Sequence, residues 1–118
     1  MGGRVSLLGR LPEAAVLDHL ARCRAVCFPP LREDYGFVTS EAFASRKSVI
    51  TCSDSGGPAE LVESGVNGLV TAPTAPALAA AIRTVMGDVA LAERYGAAGS
   101  EVARRLTWEE TVSRLVLV

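Results

Sequence analysis

Two carboxylates eight positions apart, Glu33 and Glu41, are the residues of this 118-residue chain whose type and spacing best suit chemistry. An ionised carboxylate accepts hydrogen bonds from hydroxyls at both oxygens. A pair of them flanking a cluster of backbone amides suits a sugar joined to a phosphate, because helix-initiating amides favour an anion. Gly36 lies between them, where it permits a tight turn and a close backbone approach to a ligand. Spacing alone carries little, since 13 acidic residues in 118 give roughly one such pair by chance.

The elements around the pair supply the missing specificity. Residues 25–28 read as a short buried strand stopped by Pro29-Pro30, and residues 37–45 read as a helix. Glu33 therefore falls in a loop at the carboxyl end of a strand, and Glu41 about one turn into the next helix. The first-turn amides near Phe37 and Val38 would then face the same crevice. Further strands are expected at 5–9, 48–52 and 69–70, with helices at 13–23 and from Pro58 to Gly65. The loop that holds Gly56 and Gly57 ends one strand and starts a helix, so it serves either a phosphate or a tight turn.

This order predicts an α/β fold: a Rossmann-like parallel sheet of about four strands, helices on both faces, and a helical C-terminal segment. In that segment Thr74 caps a helix to Met86, with Leu78, Ala81, Ile82 and Val85 on the face turned to the sheet. Helices at 88–95 and 97–106 follow, and Thr107-Trp108-Glu109-Glu110 has the form of a capping box for a last one.

Size and composition bound the rest. One small domain of this length buries roughly two-thirds of its unfolded surface. Hydrophobic residues at 49% and charged residues at 21% describe an ordinary globular protein, and a net charge of −1 gives no field for nucleic acid. No apolar run has the length of a membrane span. Cys23, Cys27 and Cys52 lack the paired spacing of a zinc site and read as buried thiols of a reducing compartment. Gly2 and Ser6 match the myristoylation pattern, but a core strand at 5–9 would leave no room for an acyl chain. Residues around His19 offer no partner for nucleophilic catalysis.

The run from Cys27 to Ala44 resembles the E-x7-E segment of group 1 retaining glycosyltransferases of GT-B fold. The resemblance continues through the run from Ser48 to Val62, through Gly65-Val66-Asn67-Gly68-Leu69-Val70, and to Leu106-Thr107-Trp108-Glu109-Glu110. It implies that residues 1–118 form a single partial domain, the second half of a C-terminal nucleotide-sugar-binding domain. It further implies transfer of a sugar from a nucleotide-diphosphate donor to an acceptor hydroxyl, with retention. Glu33 would then be the catalytic contact to the donor sugar, and Glu41 would hold the ribose hydroxyls. Gly36, Phe37 and Val38 would contact the sugar or its phosphate. No metal and no cofactor beyond the donor is implied. A carbohydrate or lipid-linked acceptor would bind through an N-terminal domain this chain lacks, so the chain alone is expected to be inactive. The setting implied is cytoplasmic, or the inner face of a membrane for the full-length protein.

Arg46 and Ser48 depart from the Gly and Pro usual in that family before the next strand, and a left-handed Arg46 would cost about 1 kcal/mol. Gly9-Arg10-Leu11 lacks the lysine of the family's diphosphate-binding segment, so Arg10 reads as an ordinary strand-end residue. Two strands of the family's sheet would be missing between 5–9 and 25–28. That leaves an exposed edge, at which the two segments pair directly or self-association occurs. Two other classes stay open. One is a non-catalytic nucleotide-sugar-binding module. The other is a Rossmann-type phosphotransfer or hydrolase domain with Asp54 as nucleophile, which needs a second aspartate and a lysine nearby.

Overall fold

The computed structural model describes residues 5–34 and 37–106. Its centre is β2 (Ser48–Cys52), a Ser-Val-Ile-Thr-Cys run buried at every position. Three β-branched residues in succession fit a pleated strand, and burial on both faces is what a central parallel strand requires. β1 (Ala25–Cys27) pairs in parallel with one edge, Val26 opposite Val49. β3 (Gly68–Thr71) pairs in parallel with the other, Ile50 opposite Leu69. The order β1-β2-β3 follows the chain.

Among the described residues five helices accompany the sheet: α1 (Glu13–Arg22), α2 (Phe37–Ala44), α3 (Gly57–Leu61), α4 (Ala75–Met86) and α5 (Val89–Arg105). Alternation along β2 divides the core between its two faces. Val49 packs with Ala42 and Phe43 of α2, with Val62 just past α3, and with Val26 and Val70. Ile50 packs on the opposite face with Ala81 and Val85 of α4, with Ala92 and Tyr95 of α5, and with Leu69. Thr74 and Asp88 cap α4 and α5, accepting from the Ala77 and Leu91 amides at 3.3 and 3.0 Å.

α5 joins the two faces. Its first half lies against Ile50, and its later residues Val102 and Ala103 pack with the Val49 cluster. The crossing passes the amino end of β2, where Gly96 sits on the turn at Arg46: a Cβ there would fall 2.1 Å from the Arg46 carbonyl oxygen. One turn on, a Cβ at Gly99 would fall 2.3 Å from the Phe43 ring. The two glycines are sites of close approach, so the helix runs unbroken where 88–95 and 97–106 were expected as separate helices.

Three further expectations need correcting. Among the described residues the sheet has three strands and not about four, because residues 5–9 form no strand. Val5 is 52% exposed and Leu7 96%. An apolar run becomes a strand only where a neighbour offers backbone partners and a face to bury, and this segment gains neither. The outer edge of β1 is unpaired among the described residues, and beside it Leu8, Leu11, Val16, Leu20 and Val26 line an apolar depression of about 330 Å³. On α4, Ile82 turns out to solvent at 36% exposure, while Ala81 and Val85 hold the sheet contact. Of the three cysteines only Cys52 is buried; Cys23 is half-buried and Cys27 exposed, consistent with the edge position of β1. All three are free thiols, and partial desolvation together with the neighbouring Cys52 raises the Cys27 thiol above its ordinary pKa. The expected capping box at 107–110 lies outside the described residues. Among the described residues no single helix is long and apolar enough to cross a membrane.

Candidate functional site

β1 hands its chain to β2 before the loop begins. The Phe28 amide donates to the Ile50 carbonyl at 2.9 Å, after which Pro29 and Pro30 have no amide hydrogen to continue the ladder. The loop then returns to the segment that follows β2. Arg32 donates to the Asp54 carbonyl at 3.0 Å, Glu33 to the Ser55 carbonyl at 2.8 Å, and Gly57 to the Glu33 carbonyl at 2.7 Å. Glu33 and Gly56 thus form an isolated parallel bridge beyond the carboxyl ends of the strands.

Gly56 is what permits that bridge. Its φ is 80°, and a Cβ would lie 2.5 Å from the Glu33 carbonyl oxygen. Only glycine combines the left-handed backbone with this approach. Beneath it, the buried Thr51 hydroxyl donates to the Phe28 carbonyl at 2.8 Å and shares a hydrogen bond with Ser55 Oγ at 2.7 Å. Ser55 Oγ also accepts from the Cys52 amide at 3.2 Å. Two hydroxyls with no solvent exposure therefore tie the end of β1, the end of β2 and the Gly56 loop into one unit. Gly56→Ala is expected to break the bridge at a cost of about 1–3 kcal/mol. Amide hydrogen exchange should then speed up at Glu33 and Gly57, with little change in α4.

The bridged loops enclose an open depression of about 480 Å³, lined by Arg32, Glu33, Asp34, Asp54, Gly56 and Glu60 among others. Four carboxylates face one guanidinium there, a setting that accepts from hydroxyls and repels a bare phosphate. The structure thus brings together Glu33, Gly56 and Gly57 of the expected site. Asp34, Asp54 and Glu60 join them. Of these the sequence marked only Asp54, as the nucleophile of the alternative class, and no signal in the spacing foretold that the two loops would bond.

The other expected residues lie on α2, which begins four positions after Glu33. Phe37 is 71% exposed and Val38 38%, and Glu41 is exposed on the same helix. None of the three lines the Glu33 depression. Gly36 lies outside the described residues. Among the described residues, no group of three or more His, Cys, Asp or Glu side chains is arranged to hold a metal ion. His19 and Arg10 are exposed and stand apart from this site.

A parallel β-α-β sheet with its depression at the carboxyl ends of the strands is the arrangement of open α/β ligand-binding domains. Within that class the family is definite. The model of the family described as glycosyl transferases group 1 matches residues 1–102, and this chain belongs to that family. It is 33% identical over 121 residues to an exopolysaccharide phosphotransferase of Streptomyces coelicolor, covering 95% of this chain and 13% of that protein. It is 30% identical over 115 residues to the phosphatidyl-myo-inositol mannosyltransferase of Mycobacterium leprae, covering 97% of this chain and 31% of that one. Its fold is similar to that of Anabaena HepE, solved in complex with UDP and glucose. The TM-score there is 0.79 at 29% identity, over 98% of this chain and 31% of that chain. The chain spans 13% and 31% of the lengths of the two curated relatives.

Proposed function

We propose that this chain is the donor-binding part of a GT-B glycosyltransferase, which transfers a sugar from a nucleotide diphosphate to an acceptor hydroxyl with retention of configuration. The observation that carries the reading is the backbone clamp that holds Glu33 against the Gly56–Gly57 loop beyond the strand ends, in a chain of the group 1 family. The HepE structure, with UDP and glucose bound, supports a nucleotide-sugar donor. In this reading residues 1–118 are the second half of the C-terminal domain.

Glu33 accepts from hydroxyls of the donor sugar and Glu41 from those of the ribose. The amides of Gly36, Phe37 and Val38 contact the sugar or its phosphate, where helix-initiating amides favour negative charge. Gly56 and Gly57 shape the loop beside them. The acidic depression suits the sugar and not the diphosphate, so the leaving group's charge is balanced by cations and amides from elsewhere in the protein, with no metal required. The acceptor, a carbohydrate or a lipid-linked one, occupies another domain. The protein works in the cytoplasm or at the inner face of a membrane. The free edge of β1, with the apolar depression beside it, is where another strand of the protein or a second copy pairs.

The test is product analysis. The complete protein, given UDP-glucose and other nucleotide sugars with candidate acceptors, should yield a glycoside whose anomeric proton shows the donor's configuration. The isolated 118 residues should yield none. An inverted product, or transfer by the isolated chain, contradicts the reading.

One observation favours a second reading. Asp34 and Asp54 line the same depression, and a relative is named a phosphotransferase. Against it, the single lysine of the chain, Lys47, lies at the opposite end of the sheet, lining a different cavity. Release of a sugar phosphate, abolished by Asp54→Asn and indifferent to Glu33→Ala, would establish that alternative.

A further inference from the structure

At the amino ends of β1 and β2, remote from Glu33, a second cavity of about 530 Å³ opens between Arg22, Arg24, Arg46, Lys47, Met86 and Glu93. Its volume falls in the range of small-molecule sites. Four cations and one carboxylate line it, in a chain whose net charge is −1. The cations come from three places: the last turn of α1, the turn before β1 and the turn before β2.

Part of this charge serves the fold. Lys47 Nζ donates to the Ala21 carbonyl at 3.1 Å, and the Arg24 guanidinium donates to the Met86 carbonyl. Each satisfies a carbonyl at a helix C-terminus, where a cation is favoured. Arg22 is paired with Asp18 at 2.6 Å on the exposed face of α1. Lysine and arginine keep further N–H groups after such contacts.

Arg46 is different. Among the described residues its side chain makes no hydrogen bond or ion pair, and its φ is 59°. Gly96 of α5 packs onto its carbonyl and pins that backbone. A glycine would meet this turn without strain, so the fold gains nothing from an arginine here. Strained residues that the surroundings over-determine gather at ligand sites.

We infer that this cavity binds a phosphorylated anion, with Arg46 as its main contact and Arg22, Arg24 and Lys47 as the surrounding positive field. The ligand is a small molecule bearing a diphosphate or clustered phosphates, or the headgroup of an anionic lipid. The site is distinct from the Glu33 depression and does not depend on the donor-site reading.

The experiment is a titration of the ¹⁵N-labelled chain with inorganic pyrophosphate at constant ionic strength, beside co-sedimentation with vesicles of anionic phospholipid. Saturable shifts are expected at the Arg24, Arg46 and Lys47 amides. Arg46→Gly should weaken binding about tenfold, the loss of one charge-assisted contact. The same variant should melt no lower than the parent chain, because glycine suits the turn. Vesicle binding without pyrophosphate binding, lost in Arg46→Gly, assigns the site to a lipid headgroup. Equal affinity of Arg46→Gly and the parent for pyrophosphate overturns the inference. So does the absence of both pyrophosphate and vesicle binding, or pyrophosphate shifts confined to the Gly56 and Gly57 amides with no vesicle binding.

Discussion

Gly96→Ala is expected to destabilise the domain by at least about 3 kcal/mol, lowering the thermal midpoint by more than about 10 °C. Helix propensity alone predicts the opposite sign, since alanine gains about 1 kcal/mol over glycine inside a helix. Packing decides the case. The new Cβ would sit 2.1 Å from the Arg46 carbonyl oxygen and 2.7 Å from its carbon, and both atoms belong to backbone. Neither can rotate away, so α5 must lift from the turn before β2 and give up contacts on both faces of the sheet. Arg94→Ala, at an exposed position of the same helix, should stay within about 0.5 kcal/mol of the parent chain. Thermal or urea unfolding of the two variants checks the sign. A neutral or stabilised Gly96→Ala would mean that α5 does not cross the strand ends as described.

The second large effect concerns activity in the complete enzyme. Glu33→Ala should lower turnover about ten- to a hundredfold, while Glu41→Ala should chiefly raise the donor KM. Loss of a hydrogen bond to a charged group is worth roughly 1.5–3 kcal/mol, which corresponds to those factors. The split follows from position. Glu33 is held by backbone hydrogen bonds on both sides of its Cα, so its removal spares the loop and deletes only the carboxylate. Glu41 is exposed on α2 and supports no other part of the fold that its loss would disturb. Steady-state kinetics varying donor concentration separates the two. Near-parental values for both variants would refute the roles assigned to them.

Much of this was legible in the residues because the signals were local. The Val49-Ile50-Thr51 run, the Thr74 cap and the glycine turns gave β2, α4 and β3 within a residue or two. The departure at Arg46 was visible as a non-glycine at a turn, and its φ of 59° is the left-handed value that departure implied. Where reading failed, the deciding partner lay far away in sequence. Val5, Leu7 and Leu8 look like a strand, but pairing depends on a neighbour that sequence pattern cannot supply. Gly96 looks like a helix break until Arg46, fifty positions earlier, is seen to press against it. The site shows the same division. Glu33 and Gly56 were each marked, yet nothing in their spacing revealed that they would bond to each other, or that Asp34 and Asp54 would share their depression.

The most direct test of the donor site is amide chemical-shift mapping of the 118-residue chain against UDP-glucose, with glucose alone and UDP alone as comparisons. Weak binding is expected, with Kd in the millimolar range, about −4 kcal/mol, because the proposed reading has the diphosphate balanced by cations that do not line this depression. The shifted amides should be those of Glu33, Phe37, Val38, Gly56 and Gly57, and the response should fall in both Glu33→Ala and Glu41→Ala. UDP-glucose shifts that leave all five amides unmoved, or that persist unchanged in both variants, would contradict the assignment of this edge of the sheet as the nucleotide-sugar site.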